Sequence, residues 1–192
     1  MQMMSLQLGV LDSVPPAEKL DAIVKLINDV YDVAEDGMWK VKGFRTNLDE
    51  IRELIEEGRL IVAHKLGNGD HQRSIVGCVK VERLEKEDCG QFGMLVVCPT
   101  CRSCGVGGKL VKAAEDWARD KGFAFMQLEL LTPRTWKQPS KEFAHSWYTR
   151  LGYKPTRTEP FEKDFAHLTD LLATSCDFTV YKKPLSSPDV GT

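Results

Sequence analysis

The stretch Val97-Cys-Pro-Thr-Cys-Arg-Ser-Cys-Gly-Val-Gly-Gly-Lys-Leu110 decides the fold, because it joins a predicted strand to a predicted helix through a glycine-rich turn. Apolar residues 94–97 precede the turn, and apolar residues recur at helical spacing over positions 110–118. Glycine allows a positive φ and lets the backbone approach a ligand closely. The first amides of a helix lack partners within the helix, and the helix dipole favours an anion there. Residues 102–109 are therefore predicted to cradle a pyrophosphate.

Two common phosphate-binding motifs do not fit this turn. The nucleotide P-loop places a Ser or Thr directly after Gly-Lys, to hold Mg²⁺. Here Leu110 follows Gly108-Lys109, so that hydroxyl is missing. The dinucleotide fingerprint needs a third glycine after Gly105-Val-Gly107, at the position that Leu110 occupies. The turn is therefore predicted to hold a different phosphate ligand.

A third pattern fits this turn and is followed by a second one. The segment Arg102-Ser-Cys-Gly-Val-Gly107 matches Arg/Gln-x-x-Gly-x-Gly/Ala, and the segment Ala144-His-Ser-Trp-Tyr-Thr-Arg-Leu-Gly-Tyr153 matches Ala-x-x-aromatic-Tyr-x-x-x-Gly-aromatic. Both are signatures of the GNAT superfamily of N-acetyltransferases, and the chain resembles that superfamily over residues 20–181. One predicted helix, one strand and a loop separate the signatures, as the resemblance requires.

The whole chain predicts one mixed α/β domain over residues 1–185, with a flexible tail at 186–192. The predicted helices lie at 17–34, 47–58, 110–122 and 143–151, and the predicted strands at 60–63, 75–84, 91–98, 123–131 and 177–181. Gly67-Asn-Gly-Asp70 predicts a hairpin turn between the first two strands, and residues 161–173 fit a helix or a loop. The resemblance implies a mixed, mostly antiparallel, twisted sheet with two splayed parallel central strands, flanked by helices.

Charge and composition exclude several classes of protein. Lys plus Arg number 26 and Asp plus Glu number 28, so the formal charge is −2 and no overall basic field exists for nucleic acid or an anionic membrane. No apolar run approaches the roughly 20 residues that span a bilayer, and the first residues do not resemble a signal peptide. Six cysteines are too few for a disulfide scaffold. We expect a cytoplasmic or nuclear protein with reduced thiols, as a monomer or a homodimer.

The resemblance implies acetyl-CoA as co-substrate and no metal. The strand before the turn, at Leu95, Val96 and Val97, would offer its backbone to the pantetheine and the acetyl carbonyl. The residues of the phosphate cradle would be Arg102, Ser103, Cys104, Gly105, Val106, Gly107, Gly108 and Lys109.

Acetyl transfer needs a base for the ammonium and benefits from an acid for the leaving thiolate. Tyr148 matches the superfamily tyrosine that commonly protonates the CoA thiolate. One common position for the base holds Gln91 here, which cannot accept a proton. Glu129, in Leu-Glu-Leu, resembles the Glu of the ribosomal-protein N-terminal acetyltransferases, and strand alternation could turn it towards the cleft, where it could act through a water. Glu82, on a neighbouring strand, is a third candidate.

The acceptor amine is less strongly indicated than the cofactor. The segment 132–141 is longer than in the peptide acetyltransferases and carries Arg134, Trp136 and Lys137. With Met38, Trp39 and Phe44 it is expected to enclose a partly aromatic pocket, which favours a small-molecule amine. The Leu-Glu-Leu segment favours a peptide or protein amine instead. Gln91 also permits a third interpretation, a non-catalytic sensor of acyl-CoA.

The cysteines around the turn raise the alternative of a metal site. Cys98, Cys101 and Cys104 are spaced C-x₂-C-x₂-C, with Cys89 nearby, and similar knuckles bind zinc. These residues straddle the glycine turn and lack a second knuckle, so they are interpreted as small residues in a tight loop. A thiol at the helix N-terminus would have a lowered pKa, and its oxidation would block cofactor entry.

Overall fold

The computed structural model describes residues 5–66, 73–84 and 87–185, and within them the chain forms seven strands and five α-helices. The strands are β1 Leu6–Val10, β2 Leu60–Leu66, β3 Arg73–Leu84, β4 Cys89–Val97, β5 Phe125–Pro133, β6 Lys154–Pro160 and β7 Cys176–Pro184. The helices are α1 Ala17–Ala34, α2 Leu48–Glu56, α3 Val106–Asp120, α4 Pro139–Arg150 and α5 Phe161–Asp164. Two 3₁₀ helices cover Pro99–Cys101 and Ala166–Leu171.

The strands form one mixed sheet in the order β1-β2-β3-β4-β5-β7-β6. The β4–β5 pair is parallel, and the other neighbouring pairs are antiparallel. Since helices flank this sheet, the predicted fold class is confirmed. The predicted hairpin is confirmed as the antiparallel pair β2–β3, although the Gly67–Asp70 turn lies outside the described residues.

Local sequence signals account for the first two helices. In α1 the buried residues Leu20, Ile23, Ile27 and Val30 recur every three or four positions, which is the period of one helix face. Helix α2 begins after Asn47, whose side chain accepts a hydrogen bond from the Glu50 amide and so caps the free N-terminus. None of the described helices is long and apolar enough to cross a membrane.

Several elements differ from the sequence prediction, among them α3, which begins at Val106 rather than at 110. Strand β1, an edge strand paired with β2, was not predicted. Helix α4 begins at Pro139, four residues before its predicted start at 143, and β5 continues to Pro133. The ambiguous segment 161–173 folds into α5 and the second 3₁₀ helix, which lie between β6 and β7.

Apolar side chains pack on both faces of the sheet. One cluster joins α1 and α2 to strand residues such as Val62 and Met94. A second joins α3 and α4 to residues such as Val81 and Met126. A third, smaller cluster is formed by Met38, Leu131, Phe161, Leu172 and Cys176. This third cluster supports the segment between β6 and β7.

The parallel strands β4 and β5 separate after a short contact. Their pairing covers Cys89–Gln91 and Phe125–Gln127 and goes no further, although both strands continue. Met94 takes a positive φ of 50°, and the β3–β4 register shifts between Cys78 and Lys80. Such a bulge bends its strand away from the partner. The bend in β4 therefore opens a cleft in the middle of the sheet.

A glycine keeps β3 and β4 in close contact beyond the bulge. A Cβ atom on Gly77 would lie 2.7 Å from the Val96 carbonyl oxygen, which is closer than real Cβ atoms approach. Any side chain at this position would push β4 out of place. Gly77 therefore keeps the end of β4 paired with β3, which fixes where the following turn begins.

Candidate active site

A cavity of about 470 Å³ occupies the cleft between β4 and β5. Residues 91–95 of β4 and 128–131 of β5 line it, and Tyr148 of α4 lies in its wall. The cavity begins where the two strands stop pairing, at Gln91 and Gln127. The last pair is locked by side chains, since Gln127 Nε2 donates to Gln91 Oε1 at 2.9 Å.

Tyr148 brings a protonated hydroxyl to this cavity. Its ring is 9% exposed and packs against the rings of Phe92, Trp147 and Tyr153. Burial raises the pKa of Tyr148 well above its ordinary value, and the nearby Tyr31 adds to the increase. No described residue forms a hydrogen bond with the hydroxyl, which leaves it free to donate to a ligand.

Glu129 lines the same cavity and carries a carboxylate that forms no ion pair with any described residue. The residue is exposed, yet partial burial in the cleft raises the pKa of its carboxyl group. Arg157 lowers this pKa, whereas the carboxylates of Asp164, Glu82 and Glu159 raise it. Glu129 can therefore accept a proton at a pH closer to neutrality than an ordinary glutamate can.

Glu82 also lines the cavity, but its carboxylate is engaged. Lys80 Nζ lies 3.1 Å from Glu82 Oε2, and Arg59 Nη2 lies 3.8 Å from the same oxygen. Gln91 Nε2 donates to the other oxygen at 3.1 Å. These contacts occupy both oxygens of Glu82, so its geometry suits a base less well than that of Glu129.

The turn after β4 presents unpaired backbone amides at the start of α3. Gly105 precedes the helix with a left-handed φ of 79°, and Ser103 has a φ of 61°. The first bond of the helix runs from the Lys109 amide to the Gly105 carbonyl, at 3.1 Å. The amides of residues 106–108 donate to no acceptor among the described residues. This arrangement can hold an anion.

The residues of the cradle differ in burial: one side chain packs in the core, and others are exposed. Val106 is 1% exposed and packs in the core, so its backbone amide alone is available to a ligand. A Cβ atom on Gly107 would meet Trp147 at 3.5 Å, whereas one on Gly108 would meet nothing within 4 Å. Arg102 and Lys109 are exposed and form no ion pair with any described residue. Two free cations beside free amides suit a pyrophosphate.

The end of β4 reaches from the cavity to this cradle. Leu95 lines the cavity, Val96 is buried against the cluster of α1 and α2, and Val97 is half-buried. On one side β4 pairs with β3, at Val96–Cys78 and Val97–Gly77. On the other side it has left β5, so its backbone groups there are available to an extended ligand.

The cysteines of the turn lie in different surroundings. The Cys98 thiol lies 3.2 Å from the Thr100 hydroxyl, and this hydrogen bond lowers the pKa of Cys98. Cys101 is buried, Cys104 is exposed, and Cys89 is buried within β4. Within the described residues, no group of three or more His, Cys, Asp or Glu side chains comes together in a way that could hold a metal ion.

The far end of the cavity has a wall that the sequence predicted only in part. Trp39 and Phe44 line it as expected, but Met38 is fully buried beneath it. Most of the wall comes from residues that no sequence motif indicated, namely Tyr31, Arg45, Phe161, Phe165, Leu168 and Phe178. The spacing of 161, 165 and 168 is helical and could have signalled one apolar face.

The segment 132–141 does not border the cavity as expected, except at Lys141. Arg134 is held outside by ion pairs with Glu162, at 2.7 Å, and Asp177, at 2.6 Å. Trp136 lies over Gly37, within 3.5 Å of where a Cβ atom would be. The segment therefore packs against the outside of the wall.

Lys141 and Glu35 form a buried ion pair in this wall, with 2.6 Å between Nζ and Oε1 and with both side chains 8% exposed. Trp39 Nε1 donates to the other Glu35 oxygen at 2.6 Å. The pair satisfies both charges and fixes the position of the Trp39 ring. It is therefore a support for the cavity wall.

Comparisons with known proteins agree with this geometry. The family model described as "Acetyltransferase (GNAT) family" matches residues 21–153. No curated protein matches the chain significantly in sequence.

Solved structures share the fold at low identity. A chain of the NatC complex bound to Gag peptide and CoA is 20% identical, with a TM-score of 0.62, over 95% of this chain and 100% of that one. N-acetylglutamate synthase from Neisseria gonorrhoeae, complexed with coenzyme A and N-acetyl-glutamate, is 16% identical, with a TM-score of 0.62, over 96% of this chain and 36% of that one. The ribosomal-protein-S18-alanine N-acetyltransferase from Escherichia coli is 15% identical, with a TM-score of 0.57, over 98% of this chain and 99% of that one.

The splayed strands, the amide-rich turn and the family match lead to the same assignment. The matched region begins in α1 and ends just after α4, so it contains the cleft, the turn and Tyr148. The chain belongs to the GNAT family of acetyltransferases.

Proposed function

We propose that the protein transfers the acetyl group of acetyl-CoA to the primary amine of a small molecule. The observation that carries this proposal is the position of Tyr148 and Glu129 in one cavity, between strands that have separated beside an anion cradle. The cavity offers a hydroxyl that stays protonated and a carboxylate without an ion-pair partner in the described chain. These are an acid and a base, as the reaction requires.

The cofactor would be held by backbone groups for most of its length. The amides of residues 106–108 and the side chains of Arg102 and Lys109 would bind the pyrophosphate. The β4 backbone at residues 95–97 would bind the pantetheine and direct the thioester into the cavity. Neighbours solved with coenzyme A support this assignment, because they share the fold.

The chemical step would be direct transfer. Glu129 accepts a proton from the ammonium, directly or through a water, and the free amine attacks the thioester carbonyl carbon. A C–N bond forms and the C–S bond breaks, and Tyr148 donates its proton to the departing thiolate. The nitrogen then loses its second proton through water to the Tyr148 phenolate, which restores the neutral hydroxyl, and the proton on Glu129 passes to solvent. The cavity lining contains no cysteine among the described residues, which supports direct attack over an acyl-enzyme.

The wall of the cavity supports a small acceptor. Phe161 and Phe165, in the segment between β6 and β7, line the same cavity as Glu129, and so do Trp39 and Phe44, between α1 and α2. A peptide acceptor is the second candidate, favoured by the Leu-Glu-Leu segment at residues 128–130. A non-catalytic sensor of acyl-CoA is less well supported, because Glu129 supplies a base that Gln91 cannot.

The test is thiol release from acetyl-CoA with a panel of amines and short peptides, and the mass of each product is measured. We expect an acetylated amine, and we expect Glu129→Gln and Tyr148→Phe to slow its formation while acetyl-CoA still binds. If acetyl-CoA binds and no amine or peptide in the panel is acetylated, the sensor is the better description. If peptides alone are acetylated, the acceptor class is wrong.

A further inference from the structure

Five aromatic side chains form one connected wall of the cavity, called here the aromatic wall: Trp39, Phe44, Phe161, Phe165 and Phe178. Ring centroids of neighbouring members lie 5.0 to 5.7 Å apart, so each ring packs on at least one other. Phe161 is buried in the wall, whereas Phe165 and Phe178 are half-buried and Phe44 is 37% exposed. The wall therefore leaves apolar surface in contact with the cavity.

The aromatic wall is held together by backbone hydrogen bonds between distant segments. The Lys40 amide donates to the Leu171 carbonyl at 2.8 Å, and the Ala173 amide donates to the Met38 carbonyl at 2.9 Å. These bonds tie the α1–α2 connection to the segment between β6 and β7. The Trp39 ring is also fixed by Glu35. A ligand would therefore meet a preformed surface, with little ordering to oppose binding.

The aromatic wall lies directly beside the proposed base. Glu129 pairs with Val180 across the β5–β7 ladder, and Leu131 pairs with Phe178. Residues two apart on a strand point to the same face, so Glu129 and Phe178 are diagonal neighbours on one face. An amine placed at Glu129 would carry its substituent against this wall.

The carboxylate of Glu129 can receive an ammonium, because it forms no ion pair with any described residue. Two other carboxylates in the lining, those of Glu82 and Glu35, are held in ion pairs. Arg45 also lines the cavity and forms no ion pair within the described part of the chain, so cations as well as carboxylates face the acceptor. An unpaired carboxylate beside an apolar wall suits an acceptor with an ammonium and an apolar substituent.

From this juxtaposition we infer that the acceptor is an arylalkylamine, a primary amine joined by a short chain to an aromatic ring. The ammonium lies at Glu129, and the ring packs on the aromatic wall between Phe44 and Phe165. This inference rests on the proposed function, because Glu129 is its reference point.

The test compares binding and acetylation of three probes by the intact protein in the presence of CoA or acetyl-CoA. The probe 2-phenylethylamine carries the ring, propylamine lacks it, and spermidine replaces it by further cations. We expect 2-phenylethylamine to bind roughly tenfold more tightly than propylamine, because a ring that buries about 60 Å² of apolar surface contributes about one decade in Kd. We expect spermidine to bind more weakly than 2-phenylethylamine, because it has no ring to pack on the aromatic wall.

Variants of the aromatic wall provide the second part of the binding test. Phe165→Ala removes a ring from the wall, and Phe44→Ala does the same at a more exposed position that is safer for folding. Each is expected to weaken 2-phenylethylamine binding by roughly tenfold and to leave the Kd of propylamine and acetyl-CoA unchanged. The matched control is Phe143→Ala, since this phenylalanine is 64% exposed on α4 and does not line the cavity.

The outcomes separate this inference from the proposed function. Equal binding of propylamine and 2-phenylethylamine, tighter binding of spermidine than of 2-phenylethylamine, or insensitivity to both wall variants would overturn the inference. Tighter binding of a short peptide that begins with phenylalanine would overturn it in favour of a peptide. If 2-phenylethylamine binds more tightly than propylamine but no probe is acetylated, the aromatic wall binds the ring as inferred and the proposed transfer reaction is refuted. Acetylation of a different amine class would support the reaction and refute the pocket.

Discussion

Tyr148 and Tyr153 belong to the same sequence signature, yet the structure predicts opposite consequences when each is changed to Phe. The Tyr148 hydroxyl forms no hydrogen bond with a described residue, and its ring contacts are kept in Phe. The Tyr153 hydroxyl donates to Glu115 Oε1 at 2.9 Å, in a site where Tyr153 is fully buried and Glu115 is 6% exposed. One hydroxyl therefore faces the cavity, and the other is part of the core.

The magnitudes follow from these partners. Tyr148→Phe removes no internal hydrogen bond, so the free energy of unfolding should change by less than about 0.5 kcal/mol. The loss of a general acid should lower kcat by roughly 10²- to 10⁴-fold. Tyr153→Phe removes a hydrogen bond to a buried carboxylate and should cost about 1.5–3 kcal/mol of stability. The Glu115 carboxylate keeps Lys183, at 2.8 Å, which limits that loss.

The assay pairs urea unfolding with steady-state kinetics on the folded proteins, and acetyl-CoA affinity is measured by calorimetry. We expect Tyr148→Phe to be stable, to bind acetyl-CoA like the wild type and to be nearly inactive. We expect Tyr153→Phe to be less stable and largely active. The reasoning is refuted if Tyr148→Phe keeps most of its kcat, or if it loses as much stability as Tyr153→Phe.

Four further predictions concern charge and thiol chemistry. Because the pKa of Glu129 is raised and the base must be ionised, kcat/KM should rise with pH through a midpoint above that of an ordinary glutamate, and Glu129→Gln should abolish this limb of the pH profile. A raised carboxyl pKa also means that this group stabilises the fold most at acid pH and less as pH rises, so Glu129→Gln should be at least as stable as the wild type at pH 7 in urea unfolding. Lys141→Ala leaves the Glu35 carboxylate buried without its cation and should cost about 3 kcal/mol in urea unfolding, whereas Lys137→Ala, at an exposed pair, should cost under about 0.5 kcal/mol. Iodoacetamide should alkylate the exposed Cys104 and weaken acetyl-CoA binding, as measured by calorimetry. Cys104→Ala should remove the loss of affinity that is due to this thiol. If the alkylated wild-type protein binds acetyl-CoA with unchanged affinity, Cys104 lies outside the cradle.

The glycine-rich turn before α3 and much of the fold were predictable because their signals are local. The left-handed turn at Gly105 needs a glycine, and the helix that follows repeats its apolar residues at a regular period. Helix α1 was predicted with the bounds that it has, Ala17–Ala34. In such places a few neighbouring residues determine the conformation.

The cleft and the aromatic wall depend on contacts between distant residues, and the sequence gives little sign of them. The bulge at Met94 places an ordinary buried side chain at a positive φ, which has no sequence signature. Trp39 and Phe161 lie far apart in the chain and pack against each other in the aromatic wall. Arg134 stands in the segment expected to close the site, yet two carboxylates hold it outside. Strand β1 is a different case. Leu6 and Leu8 alternate with other residues as a strand requires, but a pattern within five residues is a weak signal.

The measurement that tests the central claim most directly is thermal and urea unfolding with acetyl-CoA, CoA and ATP in parallel at equal concentrations. A ligand that binds the native state alone must stabilise it, by about 2.7 kcal/mol at a hundredfold excess over its Kd. The cradle at residues 102–109 and the cleft along β4 predict stabilisation by acetyl-CoA and CoA and much less by ATP, which lacks the pantetheine. If neither CoA species stabilises the protein, or if ATP does so equally well, the account of the cradle and the cleft is wrong.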